Sequence, residues 1–186
     1  MSQTIRSFIA VPVSLPAGLR SILRQIREMG RAVKANDAES PHITLKFLGD
    51  TQPEQVPDLA RVLESVIADF QAFELELAGI GAFPHWDRPM VAWAGVKEPE
   101  PLTEIAQRLE TELEPLGFPK ERRAYHPHLT LARIKAKPPA ALKEIADANE
   151  AKSFGSQTIE EIVLFQSELK KPGPTYTRLE SITLRK

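Results

Sequence analysis

The sequence contains no cysteine among its 186 residues. That absence excludes disulfide bonds, thiolate nucleophiles and zinc sites built on cysteine. An excess of charge of either sign is also absent, because 24 basic residues nearly balance 25 acidic ones and leave a net charge of −1. A general electrostatic attraction to nucleic acid is therefore excluded, and any affinity for RNA has to come from a local basic patch.

Long apolar runs are missing as well, since no stretch approaches the roughly 20 residues that a membrane-spanning helix needs. The opening segment MSQTIRSFIAVPVSLP has an apolar part that is too short and too interrupted for a signal peptide. We interpret it as the first strand of a cytoplasmic protein that does not contact a membrane. With 42% hydrophobic and 26% charged residues, the chain has the composition of an ordinary globular domain.

Apolar periodicity divides the chain into two similar halves, about residues 15–96 and 99–184. Each half is predicted to contain a helix, a strand that begins with histidine, a second helix and two more strands. The predicted strands are 5–13, 42–48, 73–83, 90–96, 128–134, 158–167 and 175–184, and the helical patterns run over 19–33, 56–67, 102–116 and about 139–148. No linker separates the halves, so we predict a single domain over 1–186. Its expected class is α+β, a bilobal duplicated fold in which two antiparallel-type sheets face a central cleft and helices cover the outer faces.

The two predicted histidine strands share one pattern, HITLKFL from position 42 and HLTLARI from position 128. Side chains alternate along a strand, so His42 and Thr44 share one face while the apolar residues between them take the other. The same alternation places His128 and Thr130 together. If the apolar faces pack on helices, the polar faces line the cleft from both lobes.

These residue types suit the opening of a cyclic phosphodiester. Such a reaction needs a base for the attacking water and an acid for the leaving sugar oxygen, on opposite sides of phosphorus. Histidine can fill both roles because its unperturbed pKa of about 6.5 lets one ring be neutral and the other protonated near neutral pH. Threonine hydroxyls two residues further along can donate hydrogen bonds to the non-bridging phosphate oxygens.

Other interpretations stay open at this point. A single histidine beside a threonine is more often a structural pair, although two such pairs in matching frames argue against that interpretation. A metal-dependent hydrolase is a second alternative, because His126 and His128 alternate as zinc ligands do, but the sequence has neither a third ligand at a recognisable spacing nor an HExxH helix. A third is a non-catalytic RNA-binding module of the same fold. We expect His85 and His126 to be structural or rim residues.

The segments PHITLKFLGD and HPHLTLARIKA resemble the two signature motifs of the 2H phosphoesterase superfamily, and in particular its RNA 2′,3′-cyclic phosphodiesterases, also known as 2′-5′ RNA ligases. The resemblance extends to SFIAVPV, to 83–89 and to VAWAGV. It implies a hydrolase without metal or other cofactor that converts RNA or nucleotide 2′,3′-cyclic phosphate ends to 2′-phosphomonoesters, with a reversible 2′-5′ RNA ligase activity as a further expectation. It also implies that His42 is the proton donor and His128 the proton acceptor. A related phosphodiesterase that acts on another cyclic or 2′-5′ linked nucleotide is the main alternative, and we expect a monomer.

Four further residues are candidates for substrate binding. Arg133 matches the arginine after the second motif, yet strict alternation places it on the apolar side unless the strand ends or bulges before it. Lys46 has the same parity as His42, so it is a candidate for the cleft rim, with a solvated lysine as the alternative. Arg123 belongs to a basic segment before Tyr125 that is a candidate for contact with RNA. Phe8 is a candidate for stacking on a base, with a place in the core as the alternative.

Overall fold

The computed structural model describes residues 4–36, 40–170 and 173–186. In this part of the chain the α-helices, α1 to α4, are Ala17–Arg27, Val56–Ile67, Glu100–Glu112 and Ala140–Asp147. The strands, β1 to β9, are Ile5–Pro12, Val33–Ala35, His42–Thr51, Phe73–Phe83, Val91–Lys97, His128–Ile134, Ser153–Ile159, Glu161–Leu169 and Pro174–Thr183. Short 3₁₀ turns precede α2 and follow α3. No helix in the described ranges is long and apolar enough to cross a membrane.

The strands form one antiparallel sheet rather than two. Eight of them follow the order β7-β4-β5-β6-β3-β1-β8-β9 in a strongly curled half-barrel, and β2 pairs with β6 from outside this path. The α+β class is confirmed, but the prediction of two separate sheets is wrong. The two four-stranded sides meet where β3 and β6 pair through Ile43 and Leu129. Pairing the two histidine strands there satisfies backbone groups that two separate sheets would leave at open edges.

The two sides of the sheet mix strands from both halves of the chain. β4 follows the first histidine strand in sequence, yet it lies on the side of β6. β8 and β9 follow the second histidine strand, yet they lie on the side of β3. Each side therefore depends on the whole chain for its strands, and the division at about residue 97 stays a prediction about sequence similarity only.

Two elements differ from the sequence prediction. The helical pattern over 19–33 ends as a helix at Arg27, because Gly30 adopts a positive φ of 78° and Val33 then pairs with Ile134 in β2. The predicted strand over 158–167 is two strands, β7 and β8, on opposite sides of the sheet. The sequence does not predict β7, because an edge strand with mostly exposed residues lacks a hydrophobic pattern, as its sequence SFGSQTI shows.

The sheet is buried on both of its faces near β1. Ile9 and Val11 belong to the main core, in which the buried residues of the helices pack against the outer face of the sheet. Phe8 and Ala10 point to the inner face, where they form a second small cluster with residues of β8. This alternation gives β1 its continuous apolar sequence, and it places aromatic side chains on the same inner face as the first histidine strand.

Candidate active site

The polar residues of the two histidine strands lie on one face at the junction of β3 and β6. Ile43 and Leu129 are paired and buried toward the core, so the residues on either side of them point to the opposite, inner face. The antiparallel register sets His42 beside Thr130 and Thr44 beside His128. All four side chains are half-buried, and both strands show the same order of burial over seven residues.

Each histidine ring is held by the carbonyl two residues before it. Nδ1 of His42 lies 2.8 Å from the Ser40 carbonyl oxygen, and Nδ1 of His128 lies 2.7 Å from that of His126. A carbonyl oxygen only accepts, so Nδ1 carries the proton and donates in both cases. The proton that each ring exchanges with a ligand is then the one at Nε2. The site therefore contains two equivalent Nε2 atoms, one from each of two adjacent strands.

Burial lowers the pKa of both histidines below its ordinary value. For His128 the charge of nearby His126 lowers the pKa further, while the backbone hydrogen bond of each ring raises it. Desolvation is the largest cause in both cases, so the neutral form is favoured. A neutral ring with the proton on Nδ1 has its lone pair at Nε2, which is the form that a general base requires.

Both histidine strands contain a bulge at the same position of the motif. Leu45 has no partner between the pairs Ala10–Thr44 and Ile9–Lys46, and Leu131 has none between Trp93–Thr130 and Ala92–Ala132. A bulge places one extra residue in a strand and reverses the alternation beyond it. Leu45 and Lys46 of β3 are therefore both buried, as are Leu131 and Ala132 of β6. The residue that follows each pair returns to the inner face.

The bulges decide where two candidate residues, Arg133 and Lys46, lie. Arg133 is exposed and lies on the face of His128, as the alternative with a bulge predicted. Burial raises the pKa of Tyr176, which belongs to β9 on the other side of the sheet, and the charge of Arg133 partly opposes that rise. Phe47 takes the equivalent place in the first strand and is 63% exposed. Lys46 is withdrawn from the inner face, so the parity that placed it at the cleft rim is wrong.

Lys46 is buried, with only 2% of its surface exposed, and the alternative of a solvated lysine is therefore also wrong. Its Nζ lies 2.7 Å from Glu110 Oε2 of α3 and donates to the carbonyl of Pro119 at 3.0 Å. The same Glu110 oxygen accepts from the backbone N–H of Glu121 at 2.9 Å. Lys46 thus connects the first histidine strand to the segment that leads into the second, and we do not propose it as a substrate contact.

The ring of His42 lies among aromatic side chains. Its centroid is 4.9 Å from that of Phe8, 5.0 Å from Tyr176 in an edge-on arrangement, and 6.0 Å from Phe165. Phe8 also stacks on Phe165 and is only 4% exposed. The alternative of a core phenylalanine is therefore the better description of Phe8, because its ring has little free face for a base. Its contact with His42 contributes to the burial that lowers the histidine pKa.

A different set of rings surrounds His128. Phe83 meets it edge-on at 4.9 Å, and Trp93 lies 6.3 Å away. His126 is exposed and lies edge-on to both Phe83 and Trp93. A Cβ at Gly81 would overlap the indole of Trp93, so the absence of a side chain there leaves the space that the ring occupies. The two histidines thus have similar backbone geometry but unlike surroundings.

Arg123 is exposed in the segment before β6, outside the group that the two strands bring together. Tyr125 in the same segment is half-buried, and its hydroxyl donates to the carbonyl oxygen of Thr44 at 3.0 Å. Asn36 makes the reciprocal contact, because its side-chain amide donates to the carbonyl of Thr130 at 3.2 Å. The segment before each histidine strand therefore holds the backbone of the other.

Several residues near the site were not found from the sequence. Trp93 had a usable signal, because a single bulky ring in the small-residue strand VAWAGV indicates a ring that covers small neighbours. Phe165 and Tyr176 had none, since their contact with His42 depends on the pairing of β8 with β1 and of β9 with β8. Across 4–36, 40–170 and 173–186, no group of three or more His, Asp or Glu side chains is arranged to hold a metal ion.

Comparison of the chain with known proteins identifies a family and several related sequences. A family model described as the 2′-5′ RNA ligase superfamily matches residues 15–171. The chain is 36% identical over 177 residues to the RNA 2′,3′-cyclic phosphodiesterase of Archaeoglobus fulgidus, with 94% of this chain and 98% of that protein covered. It is 32% identical over 185 residues to the protein of the same name from Methanothermobacter thermautotrophicus, with 97% and 99% covered.

Solved structures have the same fold over nearly the whole chain. A protein from Thermus thermophilus superposes with a TM-score of 0.78 at 31% identity, covering 97% of this chain and 98% of that one. Escherichia coli LigT complexed with 3′-AMP superposes with a TM-score of 0.75 at 26% identity, covering 98% and 99%. The similarity includes both histidine strands, because it extends over both ends of the chain.

Proposed function

The chain belongs to the 2′-5′ RNA ligase superfamily and is an RNA 2′,3′-cyclic phosphodiesterase homologue over nearly its full length, and from that premise we propose that it hydrolyses RNA 2′,3′-cyclic phosphate ends to 2′-phosphomonoesters. The observation that carries the proposal is the matched pair of histidines. Both rings donate from Nδ1 to a carbonyl, which leaves Nε2 of each ring for proton exchange, and both histidines lie on one face of the sheet. That arrangement supplies one proton acceptor and one proton donor without a cofactor.

The reaction is an in-line displacement at phosphorus. Nε2 of neutral His128 takes a proton from water, and the water oxygen forms a bond to phosphorus. The bond from phosphorus to O3′ breaks, and Nε2–H of protonated His42 gives its proton to O3′. The phosphate stays on O2′. His128 ends protonated and His42 neutral. His128 then releases a proton to solvent and His42 takes one up, which restores both rings for the next turnover.

The remaining polar residues of the face stabilise the phosphate. The hydroxyls of Thr44 and Thr130 donate to the two non-bridging oxygens, where negative charge is concentrated in the transition state. The guanidinium of Arg133 contacts the same oxygens from the rim of the cleft. Arg123 lies further out, in a position suited to the phosphate of a preceding nucleotide.

A second candidate function is the cleavage or formation of 2′-5′ linked nucleotides. The name of the matched family favours it, and the same two histidines would catalyse both directions. In formation a 5′-hydroxyl group replaces water and the bond from phosphorus to O3′ breaks; in cleavage the 3′-hydroxyl of the same ribose attacks and the bond from phosphorus to O5′ breaks. The chemistry at phosphorus is shared, so the substrate decides between the two functions.

A panel of substrates in excess EDTA tests the proposal. The purified protein is incubated with 2′,3′-cyclic AMP, an oligonucleotide that ends in a 2′,3′-cyclic phosphate, 2′-5′ linked diadenosine monophosphate and 3′,5′-cyclic AMP, and initial rates are compared. We expect rapid hydrolysis of the first two, unaffected by EDTA. Faster turnover of the 2′-5′ linked substrate would support the second candidate. Activity that disappears in EDTA and returns with zinc or manganese would contradict the mechanism with two histidines.

A further inference from the structure

The backbone of each threonine of the site lies where the two histidine strands separate. Within the described residues, the ladder between β3 and β6 consists of the pair Ile43–Leu129. Thr44 and Thr130 come directly after this pair, and each is followed by the bulged residue of its own strand. A bulge interrupts the regular ladder, so the carbonyl groups beside it need other partners.

Side chains supply these partners, and each comes from the segment in front of the opposite histidine strand. The hydroxyl of Tyr125, which precedes β6, donates to the carbonyl oxygen of Thr44 in β3 at 3.0 Å. Asn36, which precedes β3, donates from its side-chain amide to the carbonyl of Thr130 at 3.2 Å and from its backbone N–H to that of Leu131 at 2.7 Å. One residue thus holds two consecutive carbonyl groups at the second bulge.

The two threonine hydroxyls are not held in the same way. Within the described ranges, neither Thr44 nor Thr130 has a hydrogen bond from its own hydroxyl to another protein group. A threonine side chain is β-branched and stiff about χ1, so the direction of its hydroxyl follows the backbone. The carbonyl carbon is bonded to the same Cα as the side chain. A hydrogen bond that fixes the carbonyl therefore also fixes the direction of the hydroxyl.

Tyr125 is itself held firmly enough for such a role. Its ring packs against the main hydrophobic core, so the core and not the cleft determines where its hydroxyl lies. Burial raises the pKa of this hydroxyl, which therefore keeps its proton and remains a donor throughout the pH range of an assay. Since the hydroxyl ends on a backbone carbonyl, it supports the site from behind and is not a substrate contact.

We propose that Tyr125 and Asn36 are positioning residues that aim the hydroxyls of Thr44 and Thr130 at the two non-bridging oxygens of one phosphate, an inference that rests on the proposed function. Donors to a developing charge are effective only when they are fixed in place before the reaction. Each support crosses from one histidine strand to the segment before the other. The two hydroxyls are therefore aligned relative to each other as well as to their own strands.

The test asks whether each residue acts through its own threonine. Tyr125→Phe and Asn36→Leu are each combined with Thr44→Ala and with Thr130→Ala, and kcat and KM are measured on 2′,3′-cyclic AMP. Tyr125→Phe alone should lower kcat on the order of tenfold, with KM within a factor of about three. It should cause no further loss in the Thr44→Ala background but its full loss in the Thr130→Ala background. Asn36→Leu should show the reverse pattern.

Ser7→Ala is the matched control for the loss of a hydroxyl inside the protein. Ser7 Oγ lies 2.7 Å from Thr51 Oγ1 in a buried pair, and Ser7 pairs with Gly49 at the end of β1 remote from His42. Ser7→Ala should lower stability in urea but leave kcat unchanged. The pH profile of Tyr125→Phe should keep both limbs in place, because the hydroxyl acts on a threonine and not on a histidine.

Each other outcome has a distinct meaning. An equal loss from Tyr125→Phe in both threonine backgrounds would overturn the proposal, because the residue would then act on the fold as a whole. An unchanged kcat in Tyr125→Phe and Asn36→Leu, or a similar fall of kcat in Ser7→Ala, would overturn it too. Each residue has its own cycle, so if one variant fails to fold the other decides.

The wild-type protein separates this proposal from the proposed function. Wild-type protein that hydrolyses 2′,3′-cyclic AMP while neither cycle shows coupling contradicts the positioning role alone. Wild-type protein that hydrolyses neither 2′,3′-cyclic AMP nor an oligonucleotide with a cyclic phosphate end contradicts the proposed function, and the positioning role with it.

Discussion

Lys46 of the first histidine strand and Glu110 of α3 form an ion pair in which the lysine side chain is only 1% exposed. Glu110 also accepts from the N–H of Glu121, and Lys46 also donates to the carbonyl of Pro119. This cluster ties the strand of His42 to the segment before His128. Lys46, which the sequence indicated as a candidate substrate contact, therefore stabilises the site from within the core.

Replacing Lys46 by methionine should destabilise the protein. The substitution keeps the volume but leaves the partly buried Glu110 carboxylate with the N–H of Glu121 alone, at a cost of about 2 kcal/mol in the free energy of unfolding. Lys97→Met is the matched control, because Lys97 pairs with Glu76 at the surface and such pairs contribute about 0.5 kcal/mol. Urea unfolding measures both. Equal stability of the two variants would show that the buried pair contributes no more than an exposed one.

Replacing either histidine should abolish most of the turnover. His42→Ala and His128→Ala are each expected to lower kcat by on the order of 10²–10⁴, the usual contribution of general acid or base catalysis. The double variant should lose much less than the product of the single losses, because both rings act in one transfer of protons. Thr44→Ala and Thr130→Ala remove neutral donors and should lower kcat less, by roughly ten- to a hundredfold. Full activity in either single histidine variant would refute the pairing.

The pH dependence of kcat/KM should be bell-shaped and shifted to the acidic side. In the proposed mechanism activity rises as His128 loses its proton, and it falls as pH increases through the pKa of His42, which has to be protonated to act as the acid. Burial lowers the pKa of both rings in the free enzyme, so both limbs lie below those of unperturbed histidines near pH 6.5. The negative charge of bound phosphate favours the protonated rings, so kcat should peak at a higher pH than kcat/KM. A kcat/KM that still increases above pH 7 would contradict this prediction.

The limbs of the bell also test which histidine is the base. In His128→Ala the acidic limb should disappear from the residual activity, and in His42→Ala the basic limb should disappear. The measurement is the residual kcat/KM of each variant between about pH 5 and 9, with circular dichroism as the control for folding. Residual activity of His128→Ala that still falls toward low pH, with a flat basic side, would mean that the roles are reversed.

The two arginine candidates should differ in the substrates they affect. Arg133 lies on the face of His128, so Arg133→Ala should raise KM for 2′,3′-cyclic AMP and for an oligonucleotide alike, by on the order of tenfold. Arg123 lies outside that group, so Arg123→Ala should raise KM only for the oligonucleotide and reduce the dependence of that KM on salt. Steady-state kinetics at two salt concentrations measure both effects. An equal effect of Arg123→Ala on the mononucleotide would place Arg123 at the reacting phosphate instead.

Much of the fold was accessible from the sequence where a pattern is local. Alternation predicts the first residues of the histidine strands and the bounds of β4, and apolar spacings of three and four predict the buried faces of the helices. The structure confirms these predictions. The bulges at Leu45 and Leu131 were not predictable in the same way, because a bulge is defined by the partner strand. Without the first bulge, Lys46 faces the cleft and Phe47 the core, the reverse of what the structure has. The aromatic surroundings of His42 likewise depend on strands that are distant in sequence, since Phe165 and Tyr176 belong to β8 and β9.

The identity of the product tests the central claim most directly. An oligonucleotide that ends in a 2′,3′-cyclic phosphate is incubated in EDTA with wild-type protein, His42→Ala or His128→Ala, and the terminal phosphate is identified by ³¹P NMR. The two-histidine account predicts a 2′-phosphomonoester with the wild-type protein and an intact cyclic phosphate with both variants on the same timescale. A 3′-phosphomonoester would contradict the direction of ring opening, and the same product at the wild-type rate from either variant would contradict the mechanism itself.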